Sequence, residues 1–312
     1  MTSQRAFVTG VSGFAGRELA AQLVGAGWQV AGTVNMRSSG IDGVIEHRVR
    51  IDDHTALAEL IGPFSPDVVF HLAAIVDTVT TPDVDELHRV NTLGTVAITA
   101  AMRAAAPDAR LLFTSSSFAY GRTAPDAQPV QESHPLAPVT PYGVSKAESE
   151  TIVARLRDET GADTVVTRAF QHSGPGHTGE YALADWARQL VAIERAGGVG
   201  TIITGNLDVA RDYLDVRDVA AAYIAAAERG QSGATYNVCS GESVTMRELL
   251  TGLIDAFALD VRIETDPARV RAIDQPVFVG DPSKLRADTS WAPRYTRTEM
   301  LAALTASARA SS

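Results

Sequence analysis

Tyr142-Gly143-Val144-Ser145-Lys146 sets a phenol and an ammonium four residues apart. On a helix two such side chains share one face. A free phenol has a pKa of about 10, and a neighbouring ammonium favours its ionised form. Tyr142 is therefore expected to trade protons near neutral pH, with Lys146 lowering its pKa. The plain alternative is an ordinary surface pair on a helix. Lysine is scarce here: Lys146 and Lys284 stand beside 25 arginines. The two residue types are not interchangeable, so each lysine marks a place where a compact ammonium is wanted. A third candidate lies in Ser115-Ser116-Ser117, at the end of the apolar run Leu111-Leu112-Phe113. Ligands dock at the carboxyl ends of parallel strands, where a hydroxyl can hydrogen-bond a carbonyl or alcohol. Ser116 is the choice, Ser115 and Ser117 the alternatives, and a turn or cap the ordinary use of any one serine.

Near the start, Gly10-Val11-Ser12-Gly13-Phe14-Ala15-Gly16 follows the strand pattern Arg5–Thr9 and precedes a helical pattern. Gly10 can turn the chain at positive φ, Gly13 allows close approach of a pyrophosphate, and Gly16 allows the helix to pack on the strand. Free N–H groups and the dipole at the helix start favour an anion. Gly10, Ser12, Gly13, Phe14 and Gly16 are thus candidate dinucleotide contacts. The second strand ends in Thr33-Val34-Asn35-Met36-Arg37-Ser38-Ser39, with no acid to accept the adenosine ribose hydroxyls of NAD. Asn35, Arg37 and the serines suit a 2′-phosphate instead, favouring NADP(H) over NAD(H). The competing reading makes Arg37 a solvated surface charge.

The elements that must position these groups follow from composition and pattern. At 312 residues the chain is long enough for roughly two domain-sized units, or one large unit with a subdomain. It is 45% apolar and 21% charged, ordinary for a globular protein. A chain of this size buries about three quarters of its unfolded surface, so disorder and disulfide scaffolds are excluded. The net charge of −10 argues against a nucleic-acid partner. A single cysteine, Cys239, argues against an oxidising compartment and a Cys-rich metal site, and no HExxH pair is present. No metal is expected. With no signal-like segment and no apolar run of about 18 residues, neither export nor a membrane is expected, and a cytoplasmic location follows.

Apolar strand patterns at Arg5–Thr9, Trp28–Val34, Asp67–Leu72, Arg110–Ser115 and Asp163–Arg168 alternate with helical ones at Arg17–Val24, Val90–Ala106 and Tyr142–Arg157. That rhythm predicts an α/β fold with a Rossmann-type, doubly wound parallel sheet covered on both faces. After about residue 170 the alternation loosens, which predicts a smaller α/β C-terminal substrate lobe. The expected division is a dinucleotide-binding domain at 1–169 joined by 212–238, and a lobe at 170–211 and 239–312.

Together the motifs resemble the extended short-chain dehydrogenase/reductases that act on nucleotide sugars. TGVSGFAG, His71-Leu72-Ala73-Ala74, the SSxxxYG-like stretch and YGVSK carry the first half. Arg168-Ala169-Phe170-Gln171-His172-Ser173-Gly174-Pro175-Gly176, Gly205-Asn206-Leu207-Asp208, Arg211–Asp218, Tyr236–Gly241 and Asp281–Arg286 carry the second. The pattern is most similar to the GDP-4-keto-6-deoxymannose reductase and GDP-mannose 4,6-dehydratase branch. The resemblance implies that Leu72, Ala73, Ala74, Tyr142 and Lys146 contact the cofactor, and that Ser116, Tyr142 and Lys146 are catalytic. It implies that Ser117, Gln171, Arg211 and Arg271 contact a nucleotide-sugar substrate. Arginine suits the diphosphate of such a substrate, although Arg211 and Arg271 could instead pair with Asp212 and Asp274. It also implies a homodimer, formed by the helices Val90–Ala106 and Tyr142–Arg157.

Three departures refine this expectation. The branch's dehydratases carry a carboxylate after the active-site hydroxyl, where this chain has Phe118. A phenyl ring cannot act as acid or base, so plain reduction at C4 of a 4-keto-6-deoxyhexose is favoured over dehydration. A 4-epimerase using the same three residues is the main alternative, a dehydratase a lesser one, and a non-catalytic nucleotide sensor a fourth reading. Gln171 stands where the family has asparagine. The adenine-reading Asp at the end of the third strand is Arg50, unless Asp52 takes its place.

Overall fold

The computed structural model describes residues 3–76, 83–179, 181–270 and 275–311. Its centre is a seven-stranded sheet with every neighbouring pair parallel. The first six strands are β1 (Arg5–Thr9), β2 (Gln29–Val34), β3 (Val44–Arg48), β4 (Val68–His71), β5 (Arg110–Ser116) and β6 (Thr164–Ala169). The strand Thr235–Val238 adds to β6, so the spatial order is Thr235–Val238, β6, β5, β4, β1, β2, β3. The order reverses between β1 and β4, and a crevice opens at such a reversal beyond the carboxyl ends of the strands. The register pairs Thr9 with both His71 and Thr33, so three strand ends are level at that crevice.

Both faces of the sheet are covered, as its near-continuous apolar strands require. On one face α1 (Phe14–Gly25) packs beside the later helix Val216–Arg229, burying Leu19, Leu23, Val219 and Tyr223. On the other lie α2 (His54–Phe64), α3 (Val84–His88), α4 (Gly94–Ala105) and α5 (Pro141–Thr160), burying Leu57, Ile61, Ile98, Met102, Val153 and Leu156. The helix expected over 90–106 is in fact α4 entered through a wide π-type turn at Arg89–Leu93.

A second apolar core lies outside the sheet. It gathers α6 (Ala182–Arg195), α8 (Met246–Phe257) and α10 (Arg297–Ala310) around Trp186, Leu190, Leu249, Leu253, Met300 and Leu304. Val216–Arg229, α7, returns the chain to the sheet. The short helix α9 (Ser283–Thr289) packs on α7 and Thr235–Val238 instead, with Leu285 and Trp291 in the sheet core. The stretch 239–312 therefore serves both cores.

One buried ion pair pins α5 to the sheet. Arg168 on β6 donates to both carboxylate oxygens of Glu150 at 2.9 and 2.7 Å, and both side chains are about nine-tenths buried. Ser115 donates to the same carboxylate. Removing one member of such a pair strands the other charge away from water. Glu150→Gln is expected to lower unfolding free energy by about 3–5 kcal/mol, measured by urea denaturation; a loss below about 1 kcal/mol would show that the pair does not anchor α5.

Candidate active site

The turn from β1 into α1 is shaped by absent side chains. Gly10 sits at φ +71° and a Cβ there would lie 2.8 Å from Ala73 Cα. A Cβ on Gly16 would lie 2.2 Å from the Gly10 carbonyl oxygen. Gly13 begins α1 without a side-chain cap, and the first turn of the helix carries no acid. Such a helix start offers unclaimed N–H groups to an anion. Leu72, Ala73 and Ala74 leave β4 directly beside this turn, with the Leu72 and Ala73 amides donating to Thr9 Oγ1 at 3.1 Å each.

Thr9 also begins a buried polar chain absent from the sequence reading. Its hydroxyl accepts two amides, so its own hydrogen is directed at His71 Nδ1, 2.7 Å away. His71 Nε2 then donates to Thr95 Oγ1 at 3.2 Å, and Thr95 donates to the Asn91 carbonyl at 2.7 Å. Burial pulls the His71 pKa down to about 3, aided by the Lys146 charge, so the ring is neutral. The Asn91 side chain accepts from Ile75 N at 2.8 Å and donates to the Ile75 carbonyl at 2.9 Å and to Ser145 Oγ at 3.0 Å. Ser145 donates to the Tyr142 carbonyl at 2.8 Å. The glycine turn and α5 are thus joined through hydrogen bonds.

α5 begins at Pro141, with Thr140 as its cap accepting from Gly143 N at 3.0 Å. A Cβ on Gly143 would lie 2.5 Å from the Phe118 carbonyl oxygen, so glycine lets the helix start press on the segment after β5. This approach brings Tyr142 to Ser116, which hydrogen-bonds its phenol. Lys146 is buried one turn on, its ammonium donating to the Thr114 carbonyl at 2.8 Å. Nζ lies 5.8 Å from the Tyr142 ring centroid.

The expectation of a Tyr142 phenol that titrates near neutral pH is corrected by the structure. Burial pushes the phenol well above its ordinary value, the Ser116 hydrogen bond opposing it only partly. Burial also brings Lys146 down to about 8, against the opposing charge of Glu150. Both groups are driven toward their neutral forms because the pocket desolvates them together. Phe118 meets the Tyr142 ring edge-on, with centroids 5.9 Å apart.

The three serines separate cleanly. Ser115 is held by Glu150, Ser116 faces Tyr142, and Ser117 Oγ is buried without a hydrogen-bond partner among the described residues. Gln171 Oε1 is likewise buried and unpartnered. Because Ser116 pairs with Ala169 in the β5–β6 register, Ser117 and Gln171 leave the same end of neighbouring strands. Arg211 Nη1 donates to the Ala210 and Gln275 carbonyls at 2.9 and 2.8 Å. Asp212 instead accepts the Ser240 and Gly241 amides at 2.7 and 2.9 Å. Arg271 lies outside the described residues.

At the far end of the crevice Asn35 and Arg37 are exposed after β2. Ser38 and Ser39 are not available in the same way, since their hydroxyls donate to Glu46. Asp52 is claimed by Arg50 and Arg89, both at 2.8 Å, and these guanidiniums hold its carboxyl down to about 2. Arg50 therefore spends its guanidinium on Asp52. An aromatic stack roofs the glycine turn: Phe14 lies parallel to His177 at 4.4 Å and to His172 at 5.9 Å, and His177 touches Tyr181 at 5.0 Å. Phe14 belongs to the glycine motif, whereas its stacking partners lie over 150 positions away and carry no motif of their own that marks them for this turn.

A profile described as GDP-mannose 4,6 dehydratase matches residues 7–304. The chain belongs to this family. Among its relatives, GDP-6-deoxy-D-mannose reductase of Pseudomonas aeruginosa is 33% identical over 97% of this chain and 96% of that protein. UDP-glucose 4-epimerase of Rhizobium meliloti is 28% identical over 99% of this chain and 97% of that protein. The structure of RMD from Pseudomonas aeruginosa complexed with NADPH superposes with a TM-score of 0.85 at 30% identity, covering 99% of this chain and all of that one. In this GDP-mannose 4,6 dehydratase family member, Ser116, Tyr142 and Lys146 converge at the carboxyl end of β5, and the glycine turn lies across the crevice from them.

An orphaned hydroxyl costs stability that its removal should restore. Ser117→Ala is expected to leave thermal stability unchanged or raise it, by up to about 1 kcal/mol, in a scanning melt without added ligand. A marked drop would mean that Ser117 has a structural partner.

Proposed function

We propose that this chain reduces the C4 keto group of a nucleotide-linked 4-keto-6-deoxyhexose, GDP-linked, with NADPH favoured over NADH. The observation that carries the reading is the pairing of Ser116 with Tyr142 beside buried Lys146, with Phe118 where dehydration would require a carboxylate. The similarity to a GDP-6-deoxy-D-mannose reductase and to a structure complexed with NADPH supports it. The glycine turn, whose Cβ positions are closed by backbone, and the uncapped start of α1 fit a dinucleotide pyrophosphate.

The nicotinamide, when bound, supplies the hydride to C4. Tyr142 donates its phenolic proton to the C4 oxygen as the carbonyl becomes an alcohol. A phenol held above its ordinary pKa keeps that proton until charge develops on the acceptor. Ser116 donates a hydrogen bond to the same oxygen and stabilises the developing charge. Lys146 stabilises the phenolate left behind and holds the nicotinamide ribose. Gly10, Ser12, Gly13, Phe14, Gly16, Leu72, Ala73 and Ala74 line the dinucleotide, and Asn35 and Arg37 face its adenosine end. Ser117 and Gln171 offer their unpartnered oxygens to the sugar, while Arg211 and Arg271 serve its diphosphate. The lobe built on α6, α8 and α10 forms the substrate side, over the dinucleotide-binding sheet.

We further propose a homodimer through the outward faces of α4, the turn that enters it and α5, where Leu93 and Val96 are exposed. Among the described residues no helix is long and apolar enough to cross a membrane. The single cysteine, Cys239, buried as a free thiol, fits a cytoplasmic setting.

The epimerase similarity supports a second reading, in which the hydride is returned to the same sugar. Stoichiometric consumption of NADPH with a GDP-linked 4-keto-6-deoxyhexose is expected from the reductase; turnover without added cofactor would instead establish the epimerase. Tyr142→Phe is expected to reduce turnover by about 10²–10⁴-fold while cofactor affinity, read by fluorescence titration, is retained. Lys146 is protonated below about pH 8 and neutral above it. Activity is therefore expected to fall as pH rises through that value; a flat profile from pH 7 to 9 would remove the charge of Lys146 from the mechanism.

A further inference from the structure

The adenosine end of the crevice holds a second guanidinium that the motifs do not mark. Arg48 ends β3, and the β2–β3 register sets it beside Val34, the last residue of β2. Its Nη2 donates to the Met36 carbonyl at 3.1 Å, between Asn35 and Arg37 in sequence. The bond carries the guanidinium across from one strand to the loop that follows the other. Neither Arg37 nor Arg48 forms an ion pair among the described residues, although Arg50 and Arg89 nearby share Asp52. The one acid on β3, Glu46, is turned to Ser38 and Ser39, which hold its carboxyl below its ordinary value. Two exposed cations therefore stand together on a chain of net charge −10, next to the loop that receives the adenosine ribose in this fold. The two serines expected to assist are committed elsewhere.

We propose that Arg48, with Arg37 and Asn35, cradles the phosphate on the adenosine 2′-oxygen, and that Arg48 rather than Ser38 or Ser39 sets the preference for the phosphorylated cofactor. A planar guanidinium presents several N–H groups, so one can remain on the Met36 carbonyl while others turn to phosphate oxygens. The bond to Met36 preorganises the side chain and lowers the entropic cost of engaging an anion. This inference rests on the NADPH reading given above.

The test measures dissociation constants of NADPH, NADH, 2′,5′-ADP and 5′-AMP for the intact protein by calorimetry. Arg48 is exposed, so Arg48→Ala should fold normally. Its NADPH and 2′,5′-ADP affinities are expected to fall about tenfold, the loss of one charge-assisted contact, with NADH and 5′-AMP changed less than about twofold. Ser38→Ala is expected to leave the NADPH-to-NADH ratio intact. Equal weakening of all four ligands by Arg48→Ala, no weakening of any, or loss of the ratio in Ser38→Ala would overturn the assignment of Arg48. A wild-type protein that binds NADH as tightly as NADPH would overturn both this inference and the cofactor preference beneath it. Preference in the wild type with an unaffected Arg48→Ala would overturn Arg48 alone.

Discussion

The hydroxyl of Thr9 joins the two halves of the site. It accepts hydrogen bonds from two amides of the chain leaving β4 and donates one to His71 Nδ1. From there the chain of bonds reaches Thr95, Asn91 and Ser145. Each member is buried, and a buried polar group without a partner costs about 1–3 kcal/mol. The network is therefore stable only when complete, which makes it a positional constraint as well as a set of contacts. It fixes the glycine turn relative to the start of α5, where Tyr142 and Lys146 lie.

A different kind of contact joins the lobe to the sheet. Phe14 belongs to the turn that would receive a pyrophosphate, while His172, His177 and Tyr181 precede α6 and the second core. Burial holds His177 near a pKa of about 3, so the ring stacks as a neutral aromatic at any physiological pH. Ser173 and His177 Nδ1 are 2.9 Å apart, which orients that ring. The lobe thus rests on the same turn that defines the other side of the crevice.

Much of the fold was legible in the sequence because its strands are near-continuous apolar runs broken by helical periods. The parallel sheet follows from the apolar runs around Val8, Phe70 and Leu112, and its first turn from Gly10, Gly13 and Gly16. The wide turn at Arg89–Leu93 was not legible, because nothing in that stretch departs from a helical pattern. Nor was the third strand's role, since Glu46 and Arg48 act across loops rather than along a motif. At the site, residue types and spacing were enough to single out Ser116, Tyr142 and Lys146 as candidates, and the fold brings them together. Their protonation was not legible, because it depends on how dry the pocket is. A motif states which charges are close, and only packing states how much water remains between them.

The turn at Arg89–Leu93 has a consequence for how this chain tolerates change. An α-helix advances about 100° per residue, so one surplus residue in a turn resets the angular phase of everything downstream. The polar junction at Asn91 demands one phase, and the burial of Ile98 and Met102 against the sheet demands another. Deleting a single residue there would keep the helix but swing its apolar stripe away from the strands. The extra residue acts as a rotary spacer, reconciling two demands that a uniform helix could not meet at once.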